Sequence, residues 1–207
     1  MFKVAIIINL FCLLSCGVQK SGDINLNNML IPNFNNQFEK FDIDEFEENS
    51  SNGVSIVKDD NYYIENLLQS TGYATVIYMN NSYVYLQKHF YPSGNIKSKG
   101  LMLVNGYPIE TWYYFNQAGE LTKEENMDEG YDFGWKSVID YCEKNKIELP
   151  KGYVKGGFQT TIYKQESEGK KIWQVTHRFD TDKLQEIYLN GTNGNVIDKK
   201  IIAYKNN

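Results

Sequence analysis

The stretch His89–Asp128 reads HFYPSGNIKSKGLMLVNGYPIETWYYFNQAGELTKEENMD, and its internal repetition decides the fold. Phe90-Tyr91-Pro92-Ser93-Gly94-Asn95-Ile96 lies over Phe115-Asn116-Gln117-Ala118-Gly119-Glu120-Leu121, with aromatic, glycine and aliphatic residues at matching offsets 25 positions apart. Each copy reads as a strand end, a glycine-closed turn and a new strand start. Units of this size cannot bury a face alone and are stacked into a continuous sheet. Pro92-Ser93-Gly94 suits a type I turn followed by a left-handed glycine, and Asn116–Gly119 repeats it without the proline. Asn105-Gly106 is a strong hairpin signal, because both residues tolerate positive φ. The intervening strands are expected at Asn95–Val104, Tyr107–Phe115 and Glu120–Glu125, each pairing with the next. Pro108 has no N–H for a ladder and belongs at a strand start or on an edge.

Upstream, Tyr83 to Tyr91 alternates, with Tyr83, Tyr85, Gln87, His89 and Tyr91 on one face and Val84, Leu86, Lys88 and Phe90 on the other. Gly72–Met79 (GYATVIYM) is rich in β-branched and aromatic residues and reads as a buried strand. Tyr62–Ser70 fits either a strand or one or two helical turns, and Val54–Val57 is a short strand. Phe38–Phe46 fits a short helix or an irregular segment that packs Phe41 and Phe46.

Downstream, Phe133–Lys146 places Trp135, Val138, Ile139 and Cys142 at helical spacing, with charged residues outside. Asp132 is the expected cap, and Pro150 and Gly152 close the segment. Strands follow at Thr160–Gln165, Ile172–Phe179, Leu184–Tyr188 and Asn195–Tyr204. The fold class is therefore α+β: mainly an antiparallel β-meander of hairpins, then one amphipathic helix and a small antiparallel sheet.

Two resemblances accompany this reading. The hairpin unit, with Gly100, Gly106, Trp112 and Tyr114 in its later places, resembles the MORN-repeat-variant family over about forty residues. Antitoxins occur among the members of that family. Trp173-Gln174-Val175 and Leu189-Asn190-Gly191-Thr192-Asn193-Gly194-Asn195-Val196-Ile197 are similar to the pattern of PepSY-type units, small non-catalytic binding or inhibitory folds.

The N-terminus reads as a targeting segment. Lys3 precedes an apolar run of 11 residues, Val4–Leu14, too short for a bilayer span, which needs about 20. Leu13-Leu14-Ser15-Cys16-Gly17 resembles the bacterial lipoprotein signal. That resemblance implies cleavage before Cys16, lipidation of Cys16 and a stable membrane anchor. The competing reading is a plain secretory signal cut at another small residue. The division expected is a signal peptide at 1–15, a flexible tether at 16–37, a β-rich MORN-like region at 38–130 and a PepSY-like helix-plus-strands unit at 131–207.

Composition narrows the function. Aromatics make up 14% of the 207 residues, with 16 Tyr and 11 Phe, which favours half-buried strands. Net charge is −5, and losing residues 1–15 removes only Lys3, so the mature chain is more acidic by one. An acidic chain without a basic stripe is a poor nucleic-acid partner. The acidic cluster Asp42–Glu48 lacks the loop glycine and ligand order of a calcium loop and reads as a solvated face. His89 and His177, with Cys142 the sole thiol after Cys12 and Cys16 are set aside, are too few for a zinc site. Cys142, on the apolar helix face, reads as a small hydrophobe. No cofactor loop is present, and Asp128, Glu129 and Asp132 are the carboxylates a hydrolase would draw on.

What stands out is a set of aromatics on adjoining strands, from which Tyr85, Tyr91 and Trp112 are the candidate partner-binding residues. They either anchor a partner or cover the sheet against the helix. The expectation is a non-enzymatic envelope lipoprotein, anchored to a membrane through Cys16 and facing periplasm or cell surface. It would bind a protein, one version being an immunity factor that neutralises a toxin. A carbohydrate- or peptidoglycan-contacting module is the alternative.

Overall fold

Residues 29–204 are described by the computed structural model, and the signal segment with Cys16 lies outside them. The described chain runs α1 (Ile43–Asn49), β1 (Val54–Lys58), β2 (Tyr62–Gln69), β3 (Gly72–Met79), β4 (Val84–Phe90), β5 (Ile96–Leu103), β6 (Pro108–Phe115) and β7 (Leu121–Asn126). It continues through α2 (Trp135–Lys144), β8 (Thr161–Ser167), β9 (Lys170–Asp180), β10 (Lys183–Asn190) and β11 (Val196–Ala203). Strands β1 to β7 form one seven-stranded antiparallel meander in chain order, and β11-β10-β9-β8 form a four-stranded antiparallel sheet. This is the expected α+β architecture. The ambiguous Tyr62–Ser70 stretch is a strand, paired to β3 from Tyr62↔Met79 to Gln69↔Gly72.

The sequence repeat is a structural repeat. Gly94 N–H donates to Tyr91 O and Tyr91 N–H to Asn95 O, both at 2.8 Å. The same two bonds recur from Gly119 to Asn116 and from Asn116 to Glu120, both at 3.0 Å. Gly94 and Gly119 sit at φ +82° and +86°, the left-handed position that closes such a turn. Asn95 Nδ2 reaches Gln117 O at 2.8 Å, so the copies are stitched to one another. The middle turn departs from expectation. Asn105, at φ +51°, takes the left-handed position, and Gly106 is absent from that region. Gly106 is needed for closeness instead: it bridges to Ile162, and a Cβ there would lie 2.7 Å from Ile162 O.

Register places Val84, Leu86, Lys88 and Phe90 on the same face as Leu103, Leu101, Lys99 and Ile96. Two apolar clusters occupy this face. The larger joins Val84, Leu86, Leu101 and Leu103 to Val138, Ile139 and Cys142 of α2 and to Trp173, Val175, Ile187 and Leu189 of the second sheet. One core thus crosses the boundary drawn at residue 130. The smaller cluster gathers Phe41, Phe46, Phe90, Ile96 and Phe115. Between them, in register, lie Lys88 and Lys99, both held by Glu39.

Residues 29–37, assigned to the tether by the sequence, run along the domain. Phe34 meets Tyr113 edge-on at 5.8 Å, and Gln37 O accepts from Lys99 Nζ at 2.7 Å. Asp42 caps α1 by accepting from Glu45 N–H at 2.9 Å, and Phe41 and Phe46 are buried as expected. The start of α2 is a correction: Gly134, not Asp132, is the N-cap, with no side-chain cap bond. Phe133 is pulled aside, donating to Gly191 O at 2.8 Å and accepting from Trp173 Nε1 at 2.7 Å, so the helix begins after it. At the other end Lys146 (φ +59°) turns the chain and Ile147 N–H returns to Cys142 O at 2.8 Å, a Schellman stop before Pro150 is reached.

Candidate functional site

The face of the seven-stranded sheet turned away from α2 follows from the same alternation. Its residues align in cross-strand rows. The first is Tyr63–Tyr78–Tyr85–Met102, running over β2 to β5. The second is Glu65–Val76–Gln87–Gly100. The third is Leu67–Ala74–His89–Ser98–Tyr114–Lys123, which crosses to β7. No helix or strand among the described residues covers this face, and its tyrosines are half-buried by one another.

Their contacts form a connected aromatic platform. Tyr78 and Tyr85 lie 4.7 Å apart, Tyr63 and Tyr78 6.2 Å. Tyr153, from the segment after α2, stacks on Tyr63 at 3.8 Å with an interplanar angle of 6° and meets Tyr78 edge-on at 5.7 Å. Burial raises the phenols of Tyr78 and Tyr85, and burial together with Tyr153 and Glu65 pushes Tyr63 up to about 12. The platform therefore stays uncharged at neutral pH. His89 is held neutral as well, because burial and nearby Lys97 lower its imidazole. Charged groups of both signs border the rings: Lys58 beside Tyr63, Glu65 in the next row, Lys97 near His89, and the Lys123–Glu125 pair, whose groups lie 2.9 Å apart. Tyr114, burial first and Glu125 second, is pushed up to about 12.

The three residues singled out by sequence part company here. Tyr85 sits in the middle of the platform. Tyr91 does not: it lies at the hairpin, donates its hydroxyl to Phe115 O at 2.9 Å and takes Lys97 over its ring at 5.7 Å. Trp112 is 6% exposed, so an exposed anchoring role is corrected. Its ring lies over Gly100, where a Cβ would come within 2.3 Å, and its Nε1 donates to Leu101 O at 3.0 Å. Glycine at 100 makes the slot that swallows the indole. Tyr63, Tyr78, Met102 and Tyr153 were passed over. The first two were visible at alternate positions of their strands once β2 is taken as a strand. Tyr153 is in a loop and carries no periodic signal.

The chemically interesting side chains elsewhere are engaged structurally. Asp128 accepts from Lys164 Nζ and from Glu110 N–H, the latter at 2.8 Å, and fixes Glu110 at φ +59°. Lys164 also donates to Pro108 O and Met127 O, each at 2.8 Å, tying β8 to the first sheet. Burial, only partly offset by Asp128, lowers its pKa. Cys142 is fully buried, and burial with Glu143 pushes its thiol up to about 12, far from a thiolate nucleophile. His177, half-buried on β9, has its Nδ1 3.0 Å from Arg178 O. Among the described residues no three His, Cys, Asp or Glu gather as metal ligands, and no helix is long and apolar enough to cross a membrane. No family model, curated protein or solved structure matches this chain.

Proposed function

We propose that this chain is a non-enzymatic binding module, tethered to the cell envelope through a lipidated Cys16, that receives a partner protein on its open aromatic face. The observation that carries the reading is the uncovered row Tyr63–Tyr78–Tyr85–Met102 with Tyr153 stacked at its end. Rings already held by their neighbours lose little entropy on binding, and aromatic anchors in a rigid frame dominate protein interfaces. The chain's net charge of −5 suits a basic partner, as an immunity factor facing a basic toxin would need.

The test is co-expression of the full chain with each product of its neighbouring genes, scoring growth. One product should arrest growth alone and be neutralised by the chain. Tyr78→Ala and Tyr85→Ala should release that partner about tenfold faster, the usual cost of an anchor. Protection undiminished in folded variants removes the face from the interaction. A carbohydrate reading has one observation in its favour: Gln87 lies in the row next to the rings, giving a hydrogen-bonding group beside flat aromatic faces. Retention of the chain on isolated peptidoglycan, lost in Tyr85→Ala, would support it over the protein partner.

A further inference from the structure

Strand β11 is the outer strand of the small sheet, hydrogen-bonded to β10 on one side, and no strand among the described residues pairs with its other side. All eight of its residues are exposed, including Val196 at 45%, Ile197 at 52%, Ile201 at 54% and Ile202 at 38%. An apolar edge of that length is a template for another strand. We propose that its occupant is β11 of a second copy, joined antiparallel about a twofold axis through Lys199.

The register follows from backbone direction and charge. Tyr204 N–H donates inward to Asp182 O at 2.7 Å, so even-numbered residues from 198 on aim their backbone groups at β10 and odd-numbered ones aim outward. Lys199 N–H, with no strand partner, is taken by its neighbour's Asp198 Oδ1 at 2.8 Å. Outward groups can meet only in registers that pair odd with odd. Centring on Asp198 opposes two aspartates, and centring on Lys200 opposes two lysines. Centring on Lys199 sets Asp198 of each copy against Lys200 of the other, twice, and brings Ile201 and Ile202 toward Ile197 and Val196. One like pair, Lys199 against Lys199, remains at the axis. Lysine on an edge limits open-ended pairing, and here it sits where a closed pair must tolerate it only once. The two small sheets then join into one continuous sheet. The strand is short for a standard interface, so the dimer is reversible.

Sedimentation of the detergent-solubilised full chain over a range of concentrations should show a reversible monomer–dimer equilibrium. Asp198→Lys should weaken it about tenfold by turning two attractions into repulsions, and adding Lys200→Asp should restore it. Oxidation of Lys199→Cys should give a covalent dimer, since hydrogen-bonded antiparallel partners place their Cα atoms roughly 5.5 Å apart, within disulfide reach. Ile201→Cys, whose thiol faces Ile197, should not, with the parent chain as the baseline for its own cysteines. These positions are exposed, and an unchanged circular dichroism spectrum verifies the fold. A chain that is monomeric at every concentration, or a swap that fails to rescue, overturns the proposal. So does equal crosslinking from both cysteine variants, and so does a monomer that instead takes up an added extended peptide on this edge.

Discussion

Removing Glu39 should cost far more than removing the lysine it neutralises. Lys99 is fully buried on the core face, and its ammonium has three supports: the Glu39 carboxylate, Gln37 O at 2.7 Å and the Phe115 ring at 5.5 Å. Glu39 also holds Lys88, whose side chain is 16% exposed. With Glu39→Ala, the buried Lys99 ammonium keeps only one carbonyl and one ring as partners. Breaking a buried pair from one side costs roughly 3–5 kcal/mol. Glu39 is itself 30% exposed, so we expect the lower end, about 3 kcal/mol, a large share of the roughly 5–15 kcal/mol that holds a domain folded. Lys99→Met removes the buried charge instead, leaves Glu39 paired with Lys88, and joins the two apolar clusters; replacements of that kind are often neutral or better. Urea unfolding of each variant reads the difference in midpoint at constant slope. Equal losses for the two variants, or a larger loss for Lys99→Met, would refute the reasoning. The same group sets an acid limit. Burial alone would raise the Glu39 carboxyl, but Lys88 and Lys99 outweigh it and hold it below its ordinary 4.5. A depressed carboxylate stabilises fully above that value and loses its contribution as pH falls through the folded pKa. Stability should therefore drop below about pH 4.5, and Glu39→Gln should flatten that part of the profile while lowering the plateau.

Gly94→Val and Gly119→Val should each destabilise by about 1–3 kcal/mol from left-handed backbone strain, whereas Asn105→Gly should be tolerated. Tyr91→Phe should cost about 1 kcal/mol by leaving Phe115 O without its donor and should leave partner binding unchanged, separating a hairpin link from an anchor. Cys142 should resist thiol-specific reagents until the chain unfolds; rapid native-state labelling would contradict its burial. Cys16→Ser should abolish fatty-acid labelling and membrane fractionation, and unchanged labelling would sink the lipid anchor.

The order of strands was legible because local chemistry and tertiary structure agree along most of the chain. Period-two alternation in Tyr83–Tyr91, glycines at the left-handed positions of the repeat and helical spacing from Trp135 to Cys142 each name one element without help from afar. Where a contact distant in sequence decides, the local signal points elsewhere. Gly106 looks like the left-handed half of an Asn-Gly turn and is in fact constrained by Ile162 O, 56 positions along the chain. Asp132 has the chemistry of a cap, but Phe133 is claimed by Gly191 and Trp173, so the N-cap falls two residues later, at Gly134. Lysine at 99 alternates correctly for a strand, and nothing near it announces that Glu39 will bury it.

The same division runs through the site. Alternation sorts Tyr85 and Trp112 onto one face, yet the two differ in what lies beneath them. Trp112 sits beside Gly100, the one position in the row with no side chain, and sinks into the gap; Tyr85 sits between Tyr78 and Met102 and is propped up by both. Whether an aromatic becomes core or platform is set by the side chain on the neighbouring strand. That neighbour is known only once register is known, and register here was fixed by the turns. Gly100→Ala turns this into a measurement. The added methyl would fall within 2.3 Å of the Trp112 ring, so the indole must leave its slot. Its fluorescence should then shift toward that of a solvent-exposed indole, with a loss of stability beyond the roughly 1–3 kcal/mol of ordinary overpacking, because the Trp112 Nε1 bond to Leu101 O goes with it. Emission and stability like those of the parent would mean that the glycine does not decide the placement of the ring, and the distinction between core and platform would have to come from elsewhere in the row.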